Sequence, residues 1–362
     1  MREKKIGIIT FHCSYNYGSA LQAFALCCYL RKKNYNAEII DFRSRDFEQY
    51  KLFKMKLYHK YPMAAITDIL RLKRNLRRRK NYHYFWRKFF ILSSKRYTEK
   101  DCLKNLNNLY DAFVCGSDQI WNPNCTHGVV GAFFLDFASK WKFAYAPSIA
   151  EKNINEKDWS EMLQLIRRLD AVSVREKNSA EMLQKDLGKK VSCVLDPTLL
   201  LEKDDYKKMI DPLPTDKYVF VYVLEENEEI YHYADKLALE KKMKIKYFSK
   251  TNKKFSVKST NYYLEGPQYF LNNLAKADYV ISNSFHATVF SVIFEKQFIT
   301  YPTKASSSRM VDFLESLGIR DRMYNGQNLM DDPIDFRMVN CNLNKLKLAS
   351  EKYLDDALKK LE

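Results

Sequence analysis

Residues 278–302 read Asp-Tyr-Val-Ile-Ser-Asn-Ser-Phe-His-Ala-Thr-Val-Phe-Ser-Val-Ile-Phe-Glu-Lys-Gln-Phe-Ile-Thr-Tyr-Pro. Tyr279, Val280 and Ile281 make a short apolar β-forming run, Ser282, Asn283 and Ser284 are helix-capping residue types, and 287–294 is apolar on nearly every side. The pattern predicts a buried strand, a tight turn and a buried helix, with a second strand at 298–301. Such a unit belongs to a parallel sheet, and its turn lies at the carboxyl edge, where open α/β sheets bind ligands. His286 falls in the first helical turn, where backbone N–H groups and the helix dipole favour an anion. An imidazole there can exchange protons with a phosphorylated ligand; the plainer alternative is a histidine that bonds a carbonyl.

Outward from this unit the chain alternates in the same way. Upstream lie strand 218–224, helix 227–241, strands 244–248 and 262–264, and helix 267–276. Downstream a polar loop carrying Lys304 and Arg309 opens helix 311–317, and an amphipathic helix covers 345–361. The first half repeats the plan: strand 6–10, a polar turn at 12–19 containing Asn16 and Tyr17, helix 20–33 with Gln22 in its first turn, and strands 37–42, 111–115, 143–146, 171–174 and 191–195. The loop after strand 111–115 holds Asp118, Gln119, Trp121 and Asn122. Trp can stack on a sugar face while Asp accepts its hydroxyls. Arg175, at a strand end, suits bidentate phosphate or carboxylate binding, with pairing to Glu176 or another acid as the alternative.

At 362 residues the chain exceeds what one core usually serves. Two Rossmann-like α/β domains facing a cleft, in the GT-B-like manner, are expected. The N-terminal domain is placed at 1–200 on the acceptor side, with a basic helical insertion at about 43–100, and 199–216 is the linker. The C-terminal domain is placed at 215–340 on the donor side, and a C-terminal helix at 341–362. No apolar run approaches the ~20 residues that span a bilayer, and the charged start running directly into a strand is not an ordinary signal peptide. A cytoplasmic protein is expected. Its eight cysteines show no metal-type spacing, so packing thiols are expected and no metal is.

The formal charge is +17, and 71–100 carries twelve Lys or Arg against one acid, Glu99. The same segment holds Tyr82, Tyr84, Phe85, Trp86, Phe89 and Phe90. Nucleic acid, an anionic membrane surface and a solvated helix face all fit that composition. The ordered loop motifs elsewhere disfavour nucleic acid.

Five of these motifs, Asn16-Tyr17-Gly18-Ser19-Ala20-Leu21-Gln22-Ala23, Cys115-Gly116-Ser117-Asp118-Gln119-Ile120-Trp121-Asn122, Val172-Ser173-Val174-Arg175-Glu176, Asp196-Pro197-Thr198 and Ser284-Phe285-His286, resemble in order those of the polysaccharide pyruvyl transferase family. The resemblance implies transfer of a pyruvyl group from phosphoenolpyruvate to two hydroxyls of a sugar, giving a ketal and phosphate, with no cofactor beyond that co-substrate. It implies His286 and Asp118 as catalytic residues. Arg175, Ser284, Arg309 and Lys304 would lie around the donor, and Asn16, Tyr17, Gln22, Gln119, Trp121 and Asn122 around the acceptor. Family members often carry Arg-Leu-His where this chain has Ser284-Phe285-His286, so Arg309 or Lys304 would have to supply the missing charge. A lipid-linked acceptor at the inner face of the membrane would give the basic segment a surface to meet. The alternative activity on the same fold is a glycosyltransferase using a nucleotide sugar.

Overall fold

The computed structural model describes residues 3–44, 59, 61–151, 153–213, 216–303, 307–326 and 332–361. They form two compact units: residues 1–75, 86–201 and 346–362 make the first, residues 76–85 and 202–345 the second. The apolar strand runs and apolar helix faces of each half resolve into parallel sheets with helical crossovers.

In the first unit, strands β1 (Lys5–Ile9), β2 (Asn36–Phe42), β3 (Leu92–Tyr97), β4 (Ala112–Cys115), β5 (Trp141–Ala144), β6 (Ala171–Val174) and β7 (Ser192–Cys193) form a sheet in the order β3-β2-β1-β4-β5-β6-β7. All pairings are parallel. The strand order reverses between β1 and β4, the kind of switch point at which ligands bind. Every residue of β4 is buried, as expected for a parallel strand covered on both faces. The core joins Ile9, Ile40 and Phe113 to Phe133, Ile166 and Val174. Helix α1 (Tyr17–Lys32) begins three residues earlier than its apolar spacing predicted, because Asn16 accepts the Ser19 amide at 3.2 Å and caps it.

The stretch 43–100 holds more order than a helical insertion. Helices α2 (Pro62–Leu70) and α3 (Leu72–Phe89) are present, but β3 follows and becomes an edge strand of the sheet. Residues 45–58 and 60 of this stretch lie outside the described residues. Short helix α4 (Pro123–Thr126) and helices α5 (Glu156–Arg167) and α6 (Lys177–Leu187) complete the crossovers. Of the cysteines expected to pack beside strands, Cys13 and Cys115 are buried, but Cys193 is exposed on the short β7.

The second unit is a five-stranded sheet of β8 (Tyr218–Tyr222), β9 (Lys244–Phe248), β10 (Ser259–Asn261), β11 (Tyr279–Ser282) and β12 (Gln297–Thr300), ordered β10-β9-β8-β11-β12 and again wholly parallel. Its switch point lies between β8 and β11. Strand β10 sits three residues before the aromatic run taken for it, pairing Ser259 with Ile245. Helices α7 (Glu228–Glu240), α8 (Pro267–Ala275), α9 (Phe285–Ile293) and α10 (Ser307–Leu317) flank the sheet. The last helix, α11 (Phe336–Leu358), starts nine residues before its predicted onset at 345. Its earlier part belongs with this unit, where Asn342 donates to the Leu317 carbonyl at 3.2 Å. Its later part belongs with the first, where Ser350 accepts the Leu195 amide at 2.9 Å.

Candidate active site

In the first unit, the carboxyl ends of β1, β4, β5 and β6 gather one buried polar network. Gln22 Nε2 donates to Thr10 Oγ1 and to the Ser19 carbonyl, each at 2.9 Å, and Gln22 Oε1 accepts the Ser117 amide at 3.1 Å. Ser19 Oγ donates to the Asp118 carboxylate, which also accepts the Gln119 amide at 2.8 Å. Gly116 makes the turn possible. Its φ is +122°, and a Cβ there would lie 2.0 Å from the Tyr145 carbonyl oxygen.

The network continues through Ser148, whose amide donates to the Asp118 carbonyl at 2.8 Å and whose hydroxyl donates to Glu176. Arg175 then closes it, with Nη1 2.5 Å from Asp196 Oδ2 and Nε 3.8 Å from Glu176 Oε1. Burial opposes the guanidinium charge, but Asp196, Glu176 and Asp118 outweigh that and raise its pKa. Arg175 is therefore charge-matched inside the protein, the alternative weighed for it on sequence.

The residues expected around a sugar divide. Asn16 and Gln119 are partly exposed beside the network. Tyr17 and Gln22 are fully buried, and Asn122 is spent capping α4 through the Asn124 amide at 3.0 Å. Trp121 corrects the stacking expectation: it is 1% exposed, stacked on Phe134 at 5.1 Å, with Nε1 donating to the Phe133 carbonyl. Its indole serves the core.

A second cluster went unread in the sequence. His12 Nε2 lies 2.9 Å from Asp41 Oδ1, and its Nδ1 lies 3.3 Å from the Thr10 carbonyl oxygen. Arg43 and Arg96 grip the same carboxylate at 2.5 Å and 3.2 Å. Burial works against a charged imidazole, but the Cys13 sulfur and the Asp41 carboxylate outweigh it and lift its pKa from 6.5 to about 9. Burial likewise raises the Asp41 pKa, yet His12 and Arg43 hold it well below the carboxylate range. The available signal was positional: Asp41 lies near the carboxyl end of β2 and His12 in the turn just past the carboxyl end of β1, and the two strands pair in parallel.

In the second unit the turn after β11 is rigidly tied. Ser282 Oγ donates to the Tyr222 carbonyl at 2.6 Å and accepts the Ser284 amide at 3.0 Å. Asn283 bonds the Leu224 amide at 2.8 Å and the Glu225 carbonyl at 2.6 Å. Ser284 caps α9, accepting the Ala287 amide at 3.4 Å. These contacts hold His286 in the first turn of α9. Its ring centroid is 5.5 Å from that of Phe285, and the Arg309 guanidinium lies 5.7 Å from the same Phe285 ring. Arg309 sits in the first turn of α10, which begins earlier than the expected loop allowed. Lys304 lies outside the described residues.

Two parallel α/β units with polar residues collected at strand ends define a mixed α/β protein of the GT-B-like kind. Solved structures share that fold. The putative UDP-N-acetylglucosamine 2-epimerase of Listeria monocytogenes superposes with a TM-score of 0.57 at 11% identity, covering 100% of this chain and 97% of that one. The UDP-N-acetylglucosamine 2-epimerase of Rickettsia bellii gives 0.52 at 12%, with 100% and 97% covered. Medicago truncatula UGT71G1, complexed with UDP-glucose, gives 0.51 at 12%, with 98% of each covered. None of the curated proteins matches the chain in sequence. A model of the polysaccharide pyruvyl transferase family matches residues 16–304, and the chain belongs to that family. It is a transferase, and the family implies a sugar acceptor.

Proposed function

We propose that this transferase moves a pyruvyl group from phosphoenolpyruvate to two hydroxyls of a sugar in a cell-surface polysaccharide or its precursor, forming a pyruvate ketal and releasing phosphate. The observation that carries the proposal is the packing of His286 and Arg309 against one ring, Phe285, at two helix starts. Helix starts favour anions, and phosphoenolpyruvate bears both a phosphate and a carboxylate. Arg309 takes the charge that the family's usual Arg-Leu-His would supply, with Lys304 as its partner in this role.

In this scheme His286 protonates the methylene carbon of phosphoenolpyruvate, leaving an oxocarbenium-like centre at the carbon that bears the phosphate ester. One sugar hydroxyl adds there and loses its proton; a second displaces phosphate and loses its own. Asp118 accepts a hydroxyl proton, and the Arg175–Asp196 pair positions the strand ends behind it. The acceptor is carried on a lipid at the inner face of the membrane, and the basic segment 71–100 keeps the enzyme there. Incubation with phosphoenolpyruvate and an acceptor glycan tests the chemistry. Phosphate release with an acid-labile pyruvyl product is expected; release of a nucleotide from a nucleotide sugar instead would overturn it.

A further inference from the structure

Among the described residues, no helix is long and apolar enough to cross a membrane. Helix α2 nevertheless presents Met63, Ile66, Ile69 and Leu70 at positions i, i+3, i+6 and i+7, exposed by 70%, 51%, 61% and 81%. Tyr61 just ahead is exposed by 53%. This spacing makes one apolar stripe, and the only charged residue in the helix is Asp68. The chemistry inverts at once: residues 71–88 hold nine Lys or Arg and no acid. On α3, the exposed Lys73, Lys80 and Arg87 recur every seven residues along one face. Of the aromatic rings in the basic segment, Tyr82, Phe85, Trp86 and Phe90 are buried.

We propose that α2 is a membrane-insertion helix: its Met63-Ile66-Ile69-Leu70 stripe enters the interface of an anionic lipid surface, while the cationic face of α3 engages the headgroups. An apolar helical stripe followed directly along the chain by a cationic helix matches such a surface, where hydrocarbon lies beneath negative charge. Nucleic acid offers no partner for four exposed aliphatic side chains. A second copy of the chain would bring like charge against like. The inference deepens the membrane contact of the proposed function and rests on it, but not on the transfer chemistry.

The test is sedimentation with vesicles of phosphatidylcholine alone and of phosphatidylcholine mixed with phosphatidylglycerol, at low and high salt. The full chain is expected to sediment only with the mixed vesicles and to be released by salt. The triple variant Ile66→Gln, Ile69→Gln, Leu70→Gln should lose about tenfold or more in partitioning, by removal of buried apolar area. Ile69→Trp supplies a readout independent of loss of folding: its added fluorescence should shift to the blue on mixed vesicles. Failure of the wild type to sediment at low salt, undiminished binding by the triple variant, or an unshifted Ile69→Trp signal each overturns the proposal. So does wild-type self-association, in sedimentation velocity, that the triple variant abolishes. Phosphate release with a soluble acceptor is measured alongside and should be equal in wild type and triple variant. Its absence in both would remove the transfer chemistry and leave the membrane result to stand alone.

Discussion

Arg175 Nη1 lies 2.5 Å from Asp196 Oδ2, with both side chains almost wholly withdrawn from solvent. Asp196 also accepts the Thr198 amide at 3.0 Å and the Thr198 hydroxyl at 2.7 Å, so it is held from two sides. Removing one partner of a buried pair leaves an uncompensated charge, which typically costs about 3–5 kcal/mol. Arg175→Ala is therefore expected to lower stability by that order, and Arg175→Gln with Asp196→Asn to recover a large part of it. Urea denaturation of the three proteins checks this. An Arg175→Ala protein of wild-type stability with a raised KM for phosphoenolpyruvate alone would return Arg175 to the donor.

The His12–Asp41 pair sets a pH window. The His12 pKa is raised from 6.5 to about 9 on folding, so its stabilisation is complete below 6.5 and is lost as pH rises through about 9. Asp41 is shifted down, so its share is present above its ordinary 3.8 and is lost only as pH falls through its lower folded value. Both contributions coexist between about pH 4 and 6.5. At about 1.4 kcal/mol per unit, the His12 shift corresponds to about 3 kcal/mol. The stability gap between wild type and His12→Gln should be widest near pH 6 and should shrink towards pH 10, as followed by urea melts across that range. A gap that widened with pH would mean a neutral imidazole.

How far the residues announced this structure depended on whether a signal was local. The unit from β11 through α9 to β12 was legible because an apolar β run, a capping serine and an apolar helix are consecutive, and Ser284 does cap α9. Strand β3 was not. It is an edge strand whose central residues Lys95 and Arg96 are exposed, so it lacks the apolar run that marks buried strands. Trp121 misled because a ring suited to a sugar is equally suited to Phe134, and only the fold decides. The His12–Asp41 pair depends on the neighbouring of β1 and β2, which is a property of the sheet.

Gly116 offers a test of the loop that carries Asp118. With φ at +122° and a prospective Cβ 2.0 Å from a backbone oxygen, Gly116→Ala must move the chain. Strain at such positions costs about 1–3 kcal/mol before the clash is counted. A lowered Tm with a loss of activity larger than the lost folded fraction is expected, since Ser117 and Asp118 are displaced together. Full activity in the folded fraction would show that Asp118 is not held for catalysis.

The donor side is tested by His286 and Arg309 jointly. Ser284 caps α9 and Ser282 ties the turn, so His286→Ala removes the imidazole without removing what holds the helix. A general acid or base is worth about 10²–10⁴ in rate, and kcat is expected to fall by that factor with Tm nearly unchanged. Arg309→Ala removes a charge-assisted contact worth roughly 1.5–3 kcal/mol, and should raise KM for phosphoenolpyruvate while leaving that of the acceptor within a few-fold. Because both residues flank Phe285, the two effects should be less than additive in the double variant, the mark of groups acting on one ligand. Steady-state kinetics of the two single variants and the double variant, with each substrate varied in turn, decide it. Strict additivity, or an Arg309→Ala effect confined to the acceptor, would place the two residues on different ligands.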